Sequence, residues 1–148
     1  MTAEADRLIA AARDAARQAH APYSSFAVGA ALLMTDGSIV TGCNFENASY
    51  GLSLCAETVA VAAANAQGRL REIVAVGIVG GRIIDGAPSG DVPVGPCGRC
   101  RQVLNEAAQM GGRDIQIYCG AAQGNAVETY RLSDLLPHAF GPANLGIR

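Results

Sequence analysis

Two short segments hold the side chains best suited to chemistry. Cys55-Ala56-Glu57 is followed, 42 positions after Cys55, by Cys97 in Pro96-Cys97-Gly98-Arg99-Cys100. A Cys-x-x-Cys pair alone serves zinc, an iron–sulfur cluster or dithiol redox chemistry. A redox dithiol needs neither a third cysteine nor a neighbouring carboxylate. A structural zinc site normally takes four protein ligands, and the available fourths, His20, His138, Cys43 and Cys119, have no useful local spacing. Three thiolates leave one tetrahedral position open, which is how a catalytic zinc keeps a water. Glu57 sits two residues from one ligand at the start of a helical run. From there a carboxylate can take a proton from such a water and pass it to a substrate nitrogen. The plainer reading is an acidic residue favoured by a helix N-terminus. Cys43 and Cys119 stand alone and read as small buried hydrophobes.

These residues must be positioned by regular elements. Ala3 to about His20 is Ala-rich with Leu8, Ile9, Ala12, Ala16 and Ala19 at helical spacing, closed by Pro22. Phe26–Met34 and Ser38–Phe45 are apolar strands around Thr35-Asp36-Gly37, a hairpin signal. Leu54–Gln67 is helical, and Ile73–Val79 is a β-branched run that suits a strand buried on both faces. Gly80–Val94, rich in Gly, Pro, Asp and Ser, reads as a loop, long enough to imply function or local structure of its own. A third helix covers Cys97–Gln109. Strands follow at Ile115–Tyr118 and Val127–Tyr130, then a short helix at Ser133–Leu136. Strands separated by helices imply an α/β sheet with parallel pairs, covered on both faces.

The whole-chain balance narrows the function classes. Half of the 148 residues are apolar and 16% are charged, which excludes a disordered chain. A net charge of −2 disfavours a nucleic-acid partner. No apolar run reaches the ~18–20 residues that span a bilayer, so no membrane partner is expected. The first residues, MTAEADRLIA, lack the basic and apolar regions of a signal peptide. One soluble, cytoplasmic domain over residues 1–148 is the expectation.

The pattern C-A-E…P-C-G-R-C matches the H-x-E…P-C-x-x-C signature of zinc deaminases in its three-cysteine form. Agreement extends to Tyr23-Ser24-Ser25-Phe26-Ala27-Val28-Gly29-Ala30, to Gly42-Cys43-Asn44-Phe45-Glu46-Asn47-Ala48-Ser49-Tyr50, to Cys100-Arg101-Gln102-Val103-Leu104, and to Leu135-Leu136-Pro137-His138-Ala139-Phe140. Over almost its whole length the chain resembles the cytidine deaminase family, in its small homotetrameric type. The resemblance implies a three-layer α/β/α sandwich with a mixed five-stranded sheet. It implies hydrolytic deamination of cytidine and 2′-deoxycytidine with one Zn2+ per chain on Cys55, Cys97 and Cys100. Glu57 would move the proton to N3 and then to the leaving amine. Asn44 and Glu46, two apart and so on one strand face, would bind the sugar, and Phe26 would lie against the base. The Ala56 N–H would bond the base carbonyl, and Tyr50 and Phe140 would complete a neighbouring subunit's pocket. The alternative on the same scaffold is a modified cytosine nucleoside such as blasticidin S, against which Asn44 and Glu46 favour an ordinary ribose.

One position departs from the family pattern. Three thiolates around a divalent zinc leave the site net negative, and relatives of this type carry an arginine directly after the catalytic glutamate. Here that position is Thr58. Helix N-termini at Cys55 and Cys97 offset part of the charge. A Thr58 hydrogen bond to a thiolate, Arg99 or Arg101 would have to supply the rest.

Overall fold

The computed structural model describes residues 2–148. Helix α1 spans Ala3–Ala16 and begins where the Thr2 hydroxyl accepts the Ala5 N–H at 3.1 Å. Ala5, Leu8, Ile9, Ala12 and Ala16 form its buried stripe. Strands β1 (Phe26–Met34) and β2 (Ile39–Cys43) form an antiparallel hairpin. In its turn Gly37 has φ 84° and Asp36 Oδ1 accepts the Ser38 N–H at 2.9 Å. Helix α2 (Ala56–Ala66) leads to β3 (Ile73–Ile84) and a short β4 (Ala87–Ser89). Helix α3 (Gly98–Gly111), β5 (Gln116–Gly120), β6 (Val127–Arg131) and α4 (Leu132–Leu135) follow.

The sheet runs β2-β1-β3-β5-β6, with β4 added beside the far end of β3. The β3–β5 pair is parallel and the others are antiparallel, so the sheet is mixed. Leu8, Ile9 and Ala12 of α1 pack on one face against Ala31, Leu33, Ala75 and Val79. Ala56, Ala60, Leu104 and Ala107 of α2 and α3 pack on the other against Ala30, Leu32, Val76 and Ile78. The expected three layers are present. Two glycines allow the helices to approach so closely. A Cβ on Gly29 would lie 1.9 Å from the Ala12 carbonyl oxygen, and one on Gly42 would lie 2.6 Å from the Ala60 nitrogen.

The structure corrects the sequence reading at three places. Gly80–Val94 is not a loop throughout: β3 continues to Ile84, turns through Asp85 and Gly86, both at positive φ, and pairs with β4. The five-stranded core thus gains a sixth, short strand. Helix α1 stops at Ala16, short of His20, because the His20 backbone is committed elsewhere. Its N–H donates to Asn44 O and its carbonyl accepts from Glu46 N, tying residues 20 and 44–46 together. Cys119 is buried as expected, whereas Cys43 is only half-buried.

Candidate active site

Two helix N-termini meet at the C-terminal side of the β2–α2 and β4–α3 connections. Cys55 is the residue capping α2, Cys97 caps α3, and Cys100 is the third residue of α3. Their Sγ atoms all lie within 4.8 Å of one another. A tetrahedral zinc with Zn–S bonds of about 2.3 Å requires sulfurs about 3.8 Å apart. The Cys55–Cys97 pair stands at 3.8 Å, so the donor set fits zinc in both chemistry and spacing. Among the described residues no fourth Cys, His, Asp or Glu joins the group.

The thiols differ in setting. Burial raises the Cys55 thiol and, more strongly, Cys100, the deepest of the three. Burial also opposes ionisation of Cys97, but the Cys100 N–H and the neighbouring thiols donate to it and hold it below the ordinary thiol value. The Thr58 hydroxyl lies 3.5 Å from Cys100 Sγ. Either atom can donate while Cys100 is a thiol; once Cys100 holds a metal as a thiolate it can only accept, and the Thr58 hydroxyl is then placed to donate to it, one of the compensations expected for the missing arginine. Arg101 instead donates to the carbonyls of Pro96 (2.9 Å) and Leu135 (3.0 Å), and Arg99 to that of Ser53 (3.4 Å). Both arginines brace the backbone around the site.

Glu57 is 3% exposed, and burial pushes its carboxyl above the usual carboxylate range. Ala56, its neighbour, is the first residue of α2, where backbone N–H groups have no intrahelical partner. Both line a cleft of about 390 Å³, together with Cys55, Cys97, Phe26, Asn44 and Glu46. Eight of the ten expected site residues therefore belong to one site, with Cys100 buried behind it. Asn44 and Glu46 reach the cleft although β2 ends at Cys43. The Asn44 amide accepts from Val28 N at 2.8 Å and donates to the Phe26 carbonyl at 2.9 Å, continuing the strand pairing with a side chain. Glu46 accepts the N–H groups of Tyr23 (3.0 Å) and Ser24 (3.1 Å). Burial alone would raise its carboxyl, but these bonds and the Ser24 hydroxyl draw it below the usual value.

Phe140 does not line this cleft within one chain, and Tyr50 lines only an adjoining pocket, with Tyr23, Ser24, Glu46 and Ser53. Tyr50 is 73% exposed and lies 5.5 Å, centroid to centroid, from the Tyr23 ring. Phe140 is 60% exposed, with its carbonyl held by Gln102 and Asn105. The sequence reading missed Ser24, Val28, Ser53, Leu54, Val94 and Gly95 as lining residues. Ser24 lies in the quoted Tyr23–Ala30 segment, and Val94-Gly95 directly precedes Pro96-Cys97. Position beside a motif is the only signal they offered.

Comparison with known proteins agrees with this geometry. Residues 2–112 match the family model described as the cytidine and deoxycytidylate deaminase zinc-binding region. The chain is 45% identical to the cytidine deaminase of Halalkalibacterium halodurans over 133 residues, 90% of this chain and 91% of the relative. It is 48% identical to that of Mycobacterium tuberculosis over 130 residues, 88% of this chain and 84% of the relative. The crystal structure of a cytidine deaminase from Burkholderia pseudomallei superposes with a TM-score of 0.79 at 43% identity, covering 95% of this chain and all of that one.

Proposed function

The chain belongs to the cytidine and deoxycytidylate deaminase family, and on that premise we propose that residues 1–148 form one catalytic domain with a defined division of roles. Its reaction is the hydrolytic deamination of cytidine and 2′-deoxycytidine to uridine and 2′-deoxyuridine plus ammonia. The observation that carries this reading is the buried Glu57 carboxyl in one cleft with Cys55 and Cys97, whose thiols converge with that of Cys100 behind it. Cys55, Cys97 and Cys100 hold one zinc ion, which when bound supplies Lewis-acid activation of a water.

The chain's own residues account for the rest. Glu57 accepts a proton from the attacking water and delivers it to N3 as oxygen adds to C4. It then takes the second proton and delivers it to the C4 amine, which leaves as ammonia while the C4 carbonyl forms. A carboxyl raised by burial suits this work, because one group must both accept and donate. The Ala56 N–H donates to the C2 carbonyl, aligning the ring with Glu57. Phe26 covers the ring face, the Asn44 amide pairs with the sugar hydroxyls, and the Glu46 carboxylate accepts from them.

Homotetrameric assembly with Tyr50 and Phe140 serving a neighbour's pocket is part of the same proposal, supported by their exposure in the single chain. A cytoplasmic setting is consistent with the absence, among the described residues, of a helix long and apolar enough to cross a membrane. A nucleoside, with no nucleic acid, is the proposed partner. The modified-nucleoside alternative gains nothing from the relatives at 45–48% identity, which are named cytidine deaminases. Ammonia release from cytidine, 2′-deoxycytidine, cytosine, dCMP and blasticidin S, with zinc measured on the same sample, tests the reading. Turnover of the two nucleosides by a one-zinc enzyme is expected; turnover confined to blasticidin S or dCMP would replace it.

A further inference from the structure

Every hydrogen bond recorded to the Glu46 carboxylate comes from Tyr23 and Ser24. The two backbone N–H groups share Oε1, at 3.0 and 3.1 Å, and the Ser24 hydroxyl donates to Oε2. The same hydroxyl oxygen accepts the Phe26 N–H at 3.1 Å. Between them Ser25 stands at φ 55°, in the left-handed region that a serine rarely adopts, with its N–H on the Ala21 carbonyl at 3.0 Å. The chain therefore turns sharply at Ser25, sending Phe26 into β1 while Ser24 stays on the carboxylate. Ser24, Phe26 and Glu46 all line the cleft.

We propose that Ser24 is a positioning residue whose one hydroxyl sets the Glu46 carboxylate and the Phe26 backbone together, so that sugar recognition and base stacking share a single anchor. An ionised carboxylate offers about four acceptor sites. Three are taken by residues 23 and 24, which leaves room for one further donor, and a carboxylate can take only a donor. The Ser24 proton is already spent on Oε2, so Ser24 does not compete for that hydroxyl. Without it Oε2 is free to swing, and the carboxylate meets the sugar in more than one orientation. The expected loss falls on binding, because the hydrogen bonds of Tyr23 and Ser24 run to Glu46 and Phe26 and none to Cys55, Cys97, Cys100 or Glu57.

The inference rests on the reading that Glu46 accepts from the sugar, and the test separates the two. Steady-state kinetics are measured for cytidine, 2′-deoxycytidine and 2′,3′-dideoxycytidine on wild type, Ser24→Ala, Ser24→Thr and Glu46→Gln, with zinc content and melting temperature recorded for each. Loss of a charge-assisted hydrogen bond corresponds to about tenfold in affinity. Ser24→Ala is expected to raise KM for cytidine by about that factor, with kcat within about twofold and zinc unchanged. Its preference for cytidine over the dideoxynucleoside should shrink toward that of Glu46→Gln, and Ser24→Thr should restore both. If Glu46→Gln weakens cytidine but Ser24→Ala matches wild type, the positioning role is overturned while the sugar reading stands. If neither variant changes KM or sugar preference, the sugar reading itself fails and the inference with it.

Discussion

At the scale of single residues, Glu57 and Thr58 divide the work around the thiols. A carboxamide in place of Glu57 keeps its size but cannot take a proton. Glu57→Gln should therefore retain its zinc while kcat falls by ~10²–10⁴, read by metal analysis and ammonia release on one preparation. A kcat within tenfold of wild type would return Glu57 to the status of a helix-end acid. Thr58 offers the Cys100 sulfur a hydroxyl at 3.5 Å, while the arginines nearby are spent on backbone carbonyls. Removing a partner that hydrogen-bonds a metal ligand typically costs 10–100-fold in metal affinity. Thr58→Val, of nearly equal shape, should lose zinc to a competing chelator at about tenfold lower chelator concentration, and Thr58→Ser should not. Equal retention in all three proteins would leave the helix termini as the source of charge compensation. The ligands and Glu57 were legible because their spacing is local, within one turn of a helix start. The bonds of Ser24 and Tyr23 to Glu46 were not, since they join a turn to a residue some twenty positions on whose strand had already ended.

At the scale of elements, the site depends on how closely α1 and α2 lie on the sheet. Gly29 and Gly42 face opposite helices, and any side chain on Gly29 would overlap the Ala12 carbonyl. Gly29→Ala should destabilise the fold by about 2 kcal/mol or more as an overpacking change, seen as a lower denaturation midpoint with loss of zinc only on unfolding. The β1–β2 turn gives a pH signature. Ser38 donates to Asp36 through its side chain and backbone, and Arg69 pairs with Asp36 at 2.9 Å; together they lower its carboxyl to about 2. A depressed carboxylate stabilises the fold above its unfolded pKa of about 3.9 and loses that contribution as pH falls through 2. Asp36→Asn should accordingly melt below wild type at neutral pH and converge with it toward pH 2; a gap that stays constant would assign the effect to turn shape alone. Periodicity placed β1, α2, α3 and β6 within a few residues of their observed bounds. It misjudged Gly80–Val94, because Asp85-Gly86 and Pro88 read as loop residues when they are the tight turn and edge strand of a hairpin. It also overran α1, whose end is set by the distant pairing of His20 with residues 44–46.

At the scale of the whole molecule, the cleft is open to solvent at Ser24, Phe26 and Cys97. The fold class and layers followed from alternating strands and helices, and from a composition able to bury a core on both sheet faces. In the proposed assembly a neighbouring chain walls in the nucleoside: Phe140 stands out in solvent away from the cleft, and Tyr50, also exposed, lines only an adjoining pocket with Tyr23, Ser24, Glu46 and Ser53 of its own chain. Large aromatic side chains left so exposed are enriched where another subunit covers them. If four chains assemble, each pocket joins the Glu57 and thiols of one chain to the Phe140 of another. That arrangement predicts complementation. Phe140→Ala should lower kcat/KM by at least tenfold without loss of zinc, and Glu57→Gln should be nearly inactive alone. Mixed, unfolded together and refolded with zinc, the two proteins form hybrid assemblies in which some pockets take Glu57 from one variant and Phe140 from the other. Activity above the sum of the separately refolded variants, at a light-scattering mass near four times 15.1 kDa, would show that pockets are shared. Simple additivity at that same mass would mean each chain closes its own cleft, and a fully active species near 15.1 kDa would remove the assembly from the mechanism altogether.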